Sequence, residues 1–385
     1  MKIIVFSKNI TNTNINTNIN TNINTNINTN TMPEIIEVLK FADILRANIL
    51  GHKITHINIL KGRYSKKPFE GYGELQKELP LTIDAINTKG KFTYFTLSNS
   101  SKTHPKTFYL FNTLGLSGGW TIKANKKSDF AKCDLCHYMN HEYLDKNTNK
   151  KTQSVFTYPI IIEYITEESQ NEWFKSSLNH LNVEFITDKH NKHNPDNHDN
   201  HDNPANDNHN TFLSYYFYDQ LSFGTLKATS DISVLEKKLK ELGPDLLDTN
   251  TTLELFTTQI RKKVNENKAI GNVIVNQKIV AGVGNYLRAD ALWMAKISPF
   301  RKVKDTNDKE LEILYWSIIS LIWGDYNYKE GMKKGFIKYE LPDKYNRDFF
   351  VYKQDKDIHN KKVKKEELYE GSQKRFIYWV KDIQK

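Results

Sequence analysis

Hydrophobic positions first fall into order at 35–49, where Ile35, Val38, Leu39, Ala42, Leu45 and Ile49 recur at three- and four-residue spacing and predict an amphipathic helix. The period then shortens. β-branched and aromatic residues cluster at 54–60, 81–87, 92–97 and 107–111, between Lys-Gly-Arg, Gly-Tyr-Gly and Lys-Gly-Lys turns, as in an antiparallel sheet or sandwich. Strand pattern returns at 156–165 and 216–226. After residue 229 the spacing is helical: 232–242 ended by Gly243-Pro244, 252–264 capped by Thr251 or Thr252, then 269–275 and 309–323. Two strand-like runs, 349–352 and 374–380, flank a Lys-rich connection and predict a basic-rimmed β-hairpin. The expected fold class is α+β: an N-terminal β-sandwich with a leading α-helix, an α-helical domain, and a C-terminal β-hairpin.

Two stretches lack this order. Residues 9–31 repeat Thr-Asn-Ile-Asn, with too little apolar surface to offset the entropy of ordering, so disorder is expected. The domain is expected to start at Met32, with a tail or a misassigned start upstream. Residues 121–213 read as an insertion that ends in a His/Asn/Asp run at 189–210, most simply a flexible surface loop. The expected organisation is 1–31 extension, 32–228 β-rich domain with its 121–213 insertion, 229–345 helical domain, and 346–385 hairpin.

Composition sharpens this picture. Hydrophobic content of 38% is low for 385 residues, and mean hydropathy is -0.64, which the two tracts explain. The net charge is +10, and Lys2 and Lys8 are the only charges before Met32, so the basic excess belongs to the folded part. Such a surface suits a polyanion, nucleic acid before membrane. Two cysteines, Cys133 and Cys136, exclude a disulfide framework and point to a reducing compartment. No apolar run reaches bilayer length, and residues 3–6 are too short for a signal peptide, so an intracellular, soluble protein is expected.

Several motifs carry candidate chemistry. Pro33-Glu34 suits the first turn of a helix on structural grounds alone. If the chain starts at Met32 and Met is removed, Pro33 instead presents a secondary amine beside a carboxylate, able to form an imine with an aldehyde carbon. Lys89 and Lys91 flank Gly90 at a strand start, where solvated turn charge is the plain meaning. Residues 112–120 read as a loop with three glycines, and Leu116 within it is either a core plug or a projecting wedge. Gly282-Val-Gly284-Asn285 is either a phosphate nest at a helix start or a tight interhelical turn. Cys133, Cys136, His137 and His141 have zinc-ligand types, but one CxxC without a second pair is a weak signal, and no metal is assigned. Arg375 at the hairpin, taken alone, is solvated charge.

Taken together, Met-Pro-Glu-x-x-Glu-Val at 32–38 and Gln-Lys-Ile-Val-Ala-Gly-Val-Gly-Asn-Tyr-Leu-Arg-Ala-Asp-Ala-Leu at 277–292 resemble the formamidopyrimidine-DNA glycosylase and endonuclease VIII family. The second segment is similar to that family's helix–two-turn–helix signature, and the resemblance runs from Met32 to Gln384 around the insertion. It implies Pro33 as Schiff-base nucleophile, Glu34 as proton-transfer residue, Lys91 as an aid to β-elimination, and Arg375 as a phosphate contact associated with δ-elimination. It implies Leu116 as the intercalating wedge, Asn285 as a phosphate contact and Phe223 as a further DNA-binding residue. The four hairpin cysteines of zinc-bearing members are absent, as in zincless-finger members. Asp-Gln-Leu-Ser-Phe-Gly at 219–224 departs from the family's Arg-Arg-Phe-Gly, so the arginine that faces the base opposite the lesion is missing. Asn-Tyr-Leu-Arg and the Arg-x-x-Tyr-Trp tail lean toward endonuclease VIII, whose members favour oxidised pyrimidines.

The resemblance implies a bifunctional DNA glycosylase and abasic-site lyase of base-excision repair. It would work by β,δ-elimination without a cofactor, as a monomer, on duplex DNA carrying oxidised bases or abasic sites. The alternative is a catalytically inactive DNA-binding protein of the same fold that recognises damaged or abasic DNA.

Overall fold

The computed structural model describes residues 33–99, 105–124, 136–144, 151–159, 180–188, 213–339, 341, 349–370 and 373–385. The low-complexity tract and the His/Asn/Asp run lie outside the described residues. The leading helix, α1 (Ile35–Ile49), buries Ile35, Ile36, Val38, Phe41, Ala42, Ile44, Leu45 and Ile49, more of its girth than one stripe, because both halves of the molecule pack against it.

Ten antiparallel strands follow: β1 (Lys53–Ile59), β2 (Leu81–Lys89), β3 (Phe92–Ser98), β4 (Thr107–Thr113), β5 (Gly118–Ala124), β6 (Cys136–Leu144), β7 (Lys151–Pro159), β8 (Leu181–Thr187), β9 (Leu213–Asp219) and β10 (Thr225–Thr229). Short helices α2 (Arg63–Lys66) and α3 (Tyr72–Lys77) lie between β1 and β2. The strands form one sheet in the order β10-β4-β3-β2-β1-β8-β9-β5-β7-β6. That sheet curls into two layers. Trp120 on β5 packs 5.4 Å from Phe95 on β3, five places away in the order, and among Phe185, Tyr215 and Phe217 of its own layer. Its indole N–H donates across the layers to Asn112 Oδ1 at 3.0 Å. A sandwich-like core is the result.

Two strands depart from the sequence reading. The glycines of 112–120 suggested a loop, yet Gly118 and Gly119 begin β5. A Cβ at Gly119 would meet the Tyr218 hydroxyl at 2.4 Å and the Phe41 ring at 2.6 Å, so glycine here makes room rather than a turn. Strand β8 falls inside the expected 121–213 insertion, yet it lies between β1 and β9 and buries Val183 and Phe185.

The helical half comprises α4 (Ile232–Glu241), α5 (Leu253–Ile260), α6 (Ile270–Val273), α7 (Asn285–Met294), α8 (Asp308–Tyr326) and α9 (Tyr328–Lys333). Side-chain caps start four of them: Asp231 accepts from Ser233 N, Thr252 from Leu255 N, Asn307 closes a reciprocal box with Glu310, and Asn327 accepts from Glu330 N. Helix α8 forms the spine of this core through Leu311, Leu314, Ile318, Leu321 and Ile322. It also reaches α1, where Lys40 Nζ meets Asp325 at 3.0 Å and the Tyr326 hydroxyl donates to Asp43 at 2.6 Å. Among the described residues no helix is long and apolar enough to cross a membrane.

A C-terminal hairpin forms as expected, but from a different first strand. Strand β11 (Lys364–Glu370) pairs with β12 (Gln373–Trp379), with Leu368 opposite Arg375. The expected strand at 349–352 is instead a loop. Its backbone N–H groups at Phe350, Val351 and Tyr352 all donate to the buried Asp290 carboxylate at 3.0–3.2 Å and so are unavailable to a ladder. Burial pushes the Asp290 carboxyl up to about 7 against the pull of these donors. Asp290→Ala would leave three buried donors without an acceptor. The expected loss is ~3–5 kcal/mol, read as a lower urea midpoint with an unchanged slope.

Candidate active site

The site grows from the first turn of α1. Glu34 is buried, and its carboxylate spans to the other half of the molecule, where it accepts from Gly284 N at 2.7 Å, Tyr286 N at 3.0 Å and Leu287 N at 3.4 Å. It thus occupies the N-terminus of α7, where free amides and the helix dipole favour an anion. Of Gly282-Val-Gly284 only the Gly284 amide serves this anion; the Gly282 amide donates to Gln277 Oε1 at 2.8 Å, so the glycine turn shapes the helix start while the helix amides bind a protein carboxylate. Burial still prevails: the Glu34 carboxyl is pushed up to about 7, with Lys91 opposing and Glu37 reinforcing the shift.

Glu37 orders this carboxylate's neighbourhood. Its Oε2 accepts the Glu34 amide and the Tyr286 hydroxyl, each at 2.8 Å. Sequence reasoning passed over Glu37, although its place three residues after an N-terminal Glu is capping-box spacing.

Lys91 arrives from the β2–β3 turn, whose Gly90 N–H is fixed by Asp245 at 2.7 Å. Its ammonium is close to Glu34: a Cβ on Gly284 would sit 2.3 Å from both Lys91 Nζ and Glu34 Oε1. Loss of hydration lowers the Lys91 pKa despite the attraction of Glu34 and Glu37, and the charges of Arg375 and Arg288 lower it further. Arg375, half-buried on β12, is therefore near enough to act on both Lys91 and Arg288. Asn285 is the first residue of α7, and its Oδ1 accepts from Arg288 Nη2 at 3.2 Å. Pro33, Glu34, Lys91, Asn285 and Arg375, far apart in sequence, thus lie around one junction between the halves. Arg288 and Gly284 belong to it too, and neither was singled out as a site residue beforehand.

Leu116 and Phe223 lie in a second place. They project from the β4–β5 and β9–β10 turns, 37% and 59% exposed, and Leu221 beside them is 53% exposed. The turns are bolted together: Ser117 Oγ donates to Asp219 Oδ1 at 2.6 Å, Gly224 N to Asp219 Oδ2 at 2.6 Å, and Leu221 N to Ser117 Oγ at 2.9 Å. Leu116 is thus the projecting alternative, not the core plug. Leu221 was overlooked because the motif comparison drew attention to the arginine it lacks rather than to the apolar tip present.

Cys133 lies outside the described residues, and only the backbone of Cys136, His137 and His141 is described. Among the described residues no group of three or more His, Cys, Asp or Glu could hold a metal ion.

Comparison with known proteins agrees with this fold. The formamidopyrimidine-DNA glycosylase N-terminal domain matches residues 32–157, and the formamidopyrimidine-DNA glycosylase H2TH domain matches 242–331, together more than half of the chain. The chain belongs to the formamidopyrimidine-DNA glycosylase and endonuclease VIII family. It is similar to a formamidopyrimidine-DNA glycosylase of Listeria innocua, 34% identical over 107 residues, which are 28% of this chain and 38% of that protein. It is likewise similar to an endonuclease 8 of Escherichia coli, 30% identical over 103 residues, 25% of this chain and 39% of that protein. The matched segments thus span well under half the length of these relatives. Lactococcus lactis Fpg, solved with abasic-site DNA, shares the fold with a TM-score of 0.57 at 20% identity, covering 91% of this chain and 99% of that one.

Proposed function

We propose that this protein is a DNA glycosylase with abasic-site lyase activity, working through Pro33 as an imine-forming nucleophile. One observation carries the reading. Directly after Pro33, the buried Glu34 carboxyl caps α7 and lies beside Lys91, in surroundings that raise the acid's pKa and lower the lysine's.

Lys and Arg side chains would grip the duplex backbone with an affinity that falls steeply with salt. The damaged nucleotide leaves the stack, and Leu116, backed by Leu221 and Phe223, fills the space. The Pro33 lone pair forms a bond to C1′ as the base departs, and Glu34 gives its proton to the ring oxygen as the sugar opens. The resulting iminium acidifies C2′. Lys91, whose pKa burial lowers, is placed to take that proton, the 3′ phosphate leaves, a second elimination releases the 5′ phosphate, and water frees the amine from the product. Asn285 and Arg375 hold the phosphate. The chemistry calls for no cofactor. Oxidised pyrimidines are the proposed substrates, and an all-apolar wedge carries no group to read the base opposite.

In the chain as numbered, the Pro33 nitrogen is acylated by Met32 and cannot attack, so the active form is proposed to begin at Pro33. That same amide favours the second reading, a DNA-binding protein without catalysis. Borohydride trapping on an abasic-site oligonucleotide separates them, with protein made from Met32 run beside the 385-residue chain. A covalent adduct with the short form alone, lost on Pro33→Ala, is expected. Duplex binding without an adduct from either form would favour the non-catalytic reading.

A further inference from the structure

Arg288 is fully buried and the largest such side chain among the described residues. Its partners are all neutral: Nη2 donates to Phe376 O at 2.7 Å and Asn285 Oδ1 at 3.2 Å, Nη1 to Gly271 O at 3.4 Å, and Nε has no partner. No described carboxylate forms an ion pair with it. A buried guanidinium left in this state costs stability, and an apolar side chain of similar volume would pack the site more favourably. Its contacts, however, join two elements of the site. Asn285 opens α7, and Phe376 is the β12 neighbour of Arg375. Because a guanidinium has only donors, the Asn285 amide must turn its oxygen inward, which leaves the Nδ2 donors for an external acceptor. The other hairpin strand is held in the same way, with Asn272 Nδ2 on α6 donating to Tyr369 O at 2.7 Å.

We propose that Arg288 is a positioning residue whose single guanidinium sets the amide orientation of Asn285 and the placement of the strand bearing Arg375, so that both close on one phosphate of the DNA. The hairpin, which has no cysteines, is thereby aligned from the helical domain. The inference rests on the DNA-binding reading above.

The test measures affinity of the 385-residue chain for a duplex carrying a tetrahydrofuran abasic analogue, across a salt series. Arg288→Lys keeps the charge and removes the fork. In the otherwise unchanged chain it is expected to weaken binding by tenfold or more and to make the salt slope shallower by ~1. In a background of Asn285→Ala with Arg375→Ala, the same change is expected to cost less than ~2-fold. Equal losses in both backgrounds would overturn the inference and leave the functional reading standing. A parent chain with no salt-dependent duplex affinity would overturn both. Should Arg288→Lys fail to fold, Asn285→Asp decides: a carboxylate beside the buried guanidinium is expected to raise the melting temperature while binding weakens. A lower melting temperature would overturn the inference.

Discussion

Glu34→Gln, in protein that begins at Pro33, is expected to cut abasic-site cleavage by ~10²–10⁴-fold, the usual share of a proton-transfer group. Duplex binding should persist, because in the proposed mechanism Asn285 and Arg375, not Glu34, hold the phosphate, and the glutamine oxygen can still accept from the α7 amides. The pH profile gives the sharper readout. In the proposed mechanism the Pro33 amine must be unprotonated to attack, and an ordinary α-amine titrates near ~8. The Glu34 carboxyl, held at about 7, must be protonated to serve the ring oxygen. The parent enzyme should therefore show a bell with its maximum between these values, and Glu34→Gln should leave only the rising amine limb. A bell retained in the variant would assign the falling limb to a group other than Glu34. The same shift bears on stability. A carboxyl raised from 4.5 to about 7 contributes fully below 4.5 and loses that contribution as pH climbs to about 7. The stability gap between parent and Glu34→Gln should accordingly narrow across that window, by on the order of 3 kcal/mol.

Gly284→Ala is expected to have a comparable effect through one methyl group. The added Cβ would lie 2.3 Å from Glu34 Oε1 and from Lys91 Nζ, and 2.4 Å from Glu34 Cδ. The backbone fixes the Cβ position, so the ends of the Glu34 and Lys91 side chains must both move away. Displacing reacting groups by ~1 Å costs about 10²-fold in rate, and overpacking a close contact costs ~1–3 kcal/mol. Trapping yield, turnover and melting temperature should fall together. Full turnover from the alanine variant would mean that Glu34 and Lys91 need not be this close to work.

Local signals in the sequence reached far into this architecture. The α1 stripe, the β1–β4 runs with their glycine turns, and the capped helices from 232 onward all stand where periodicity placed them, within a few residues. Pro33, Glu34, Lys91, Asn285 and Arg375 were named through motif resemblance, and the fold brings them to one junction. What escaped was set by distant partners. Aromatic residues at 349–352 read as a strand until the Asp290 carboxylate, some sixty positions earlier, takes their amides. The glycines of β5 read as a loop because nothing local reveals the Tyr218 and Phe41 rings above them. Arg288 looked like an ordinary polar residue of a helix, and only its burial distinguishes it.

The cap that Glu34 places on α7 joins residues 250 positions apart. During synthesis, Glu34 emerges some 250 residues before the helix that gives its acid an environment. A chain terminated early would carry Pro33, Glu34 and Lys91 but neither the burial nor the amides that tune the carboxyl. Under the proposed function, incomplete products of translation or proteolysis should therefore show no abasic-site cleavage.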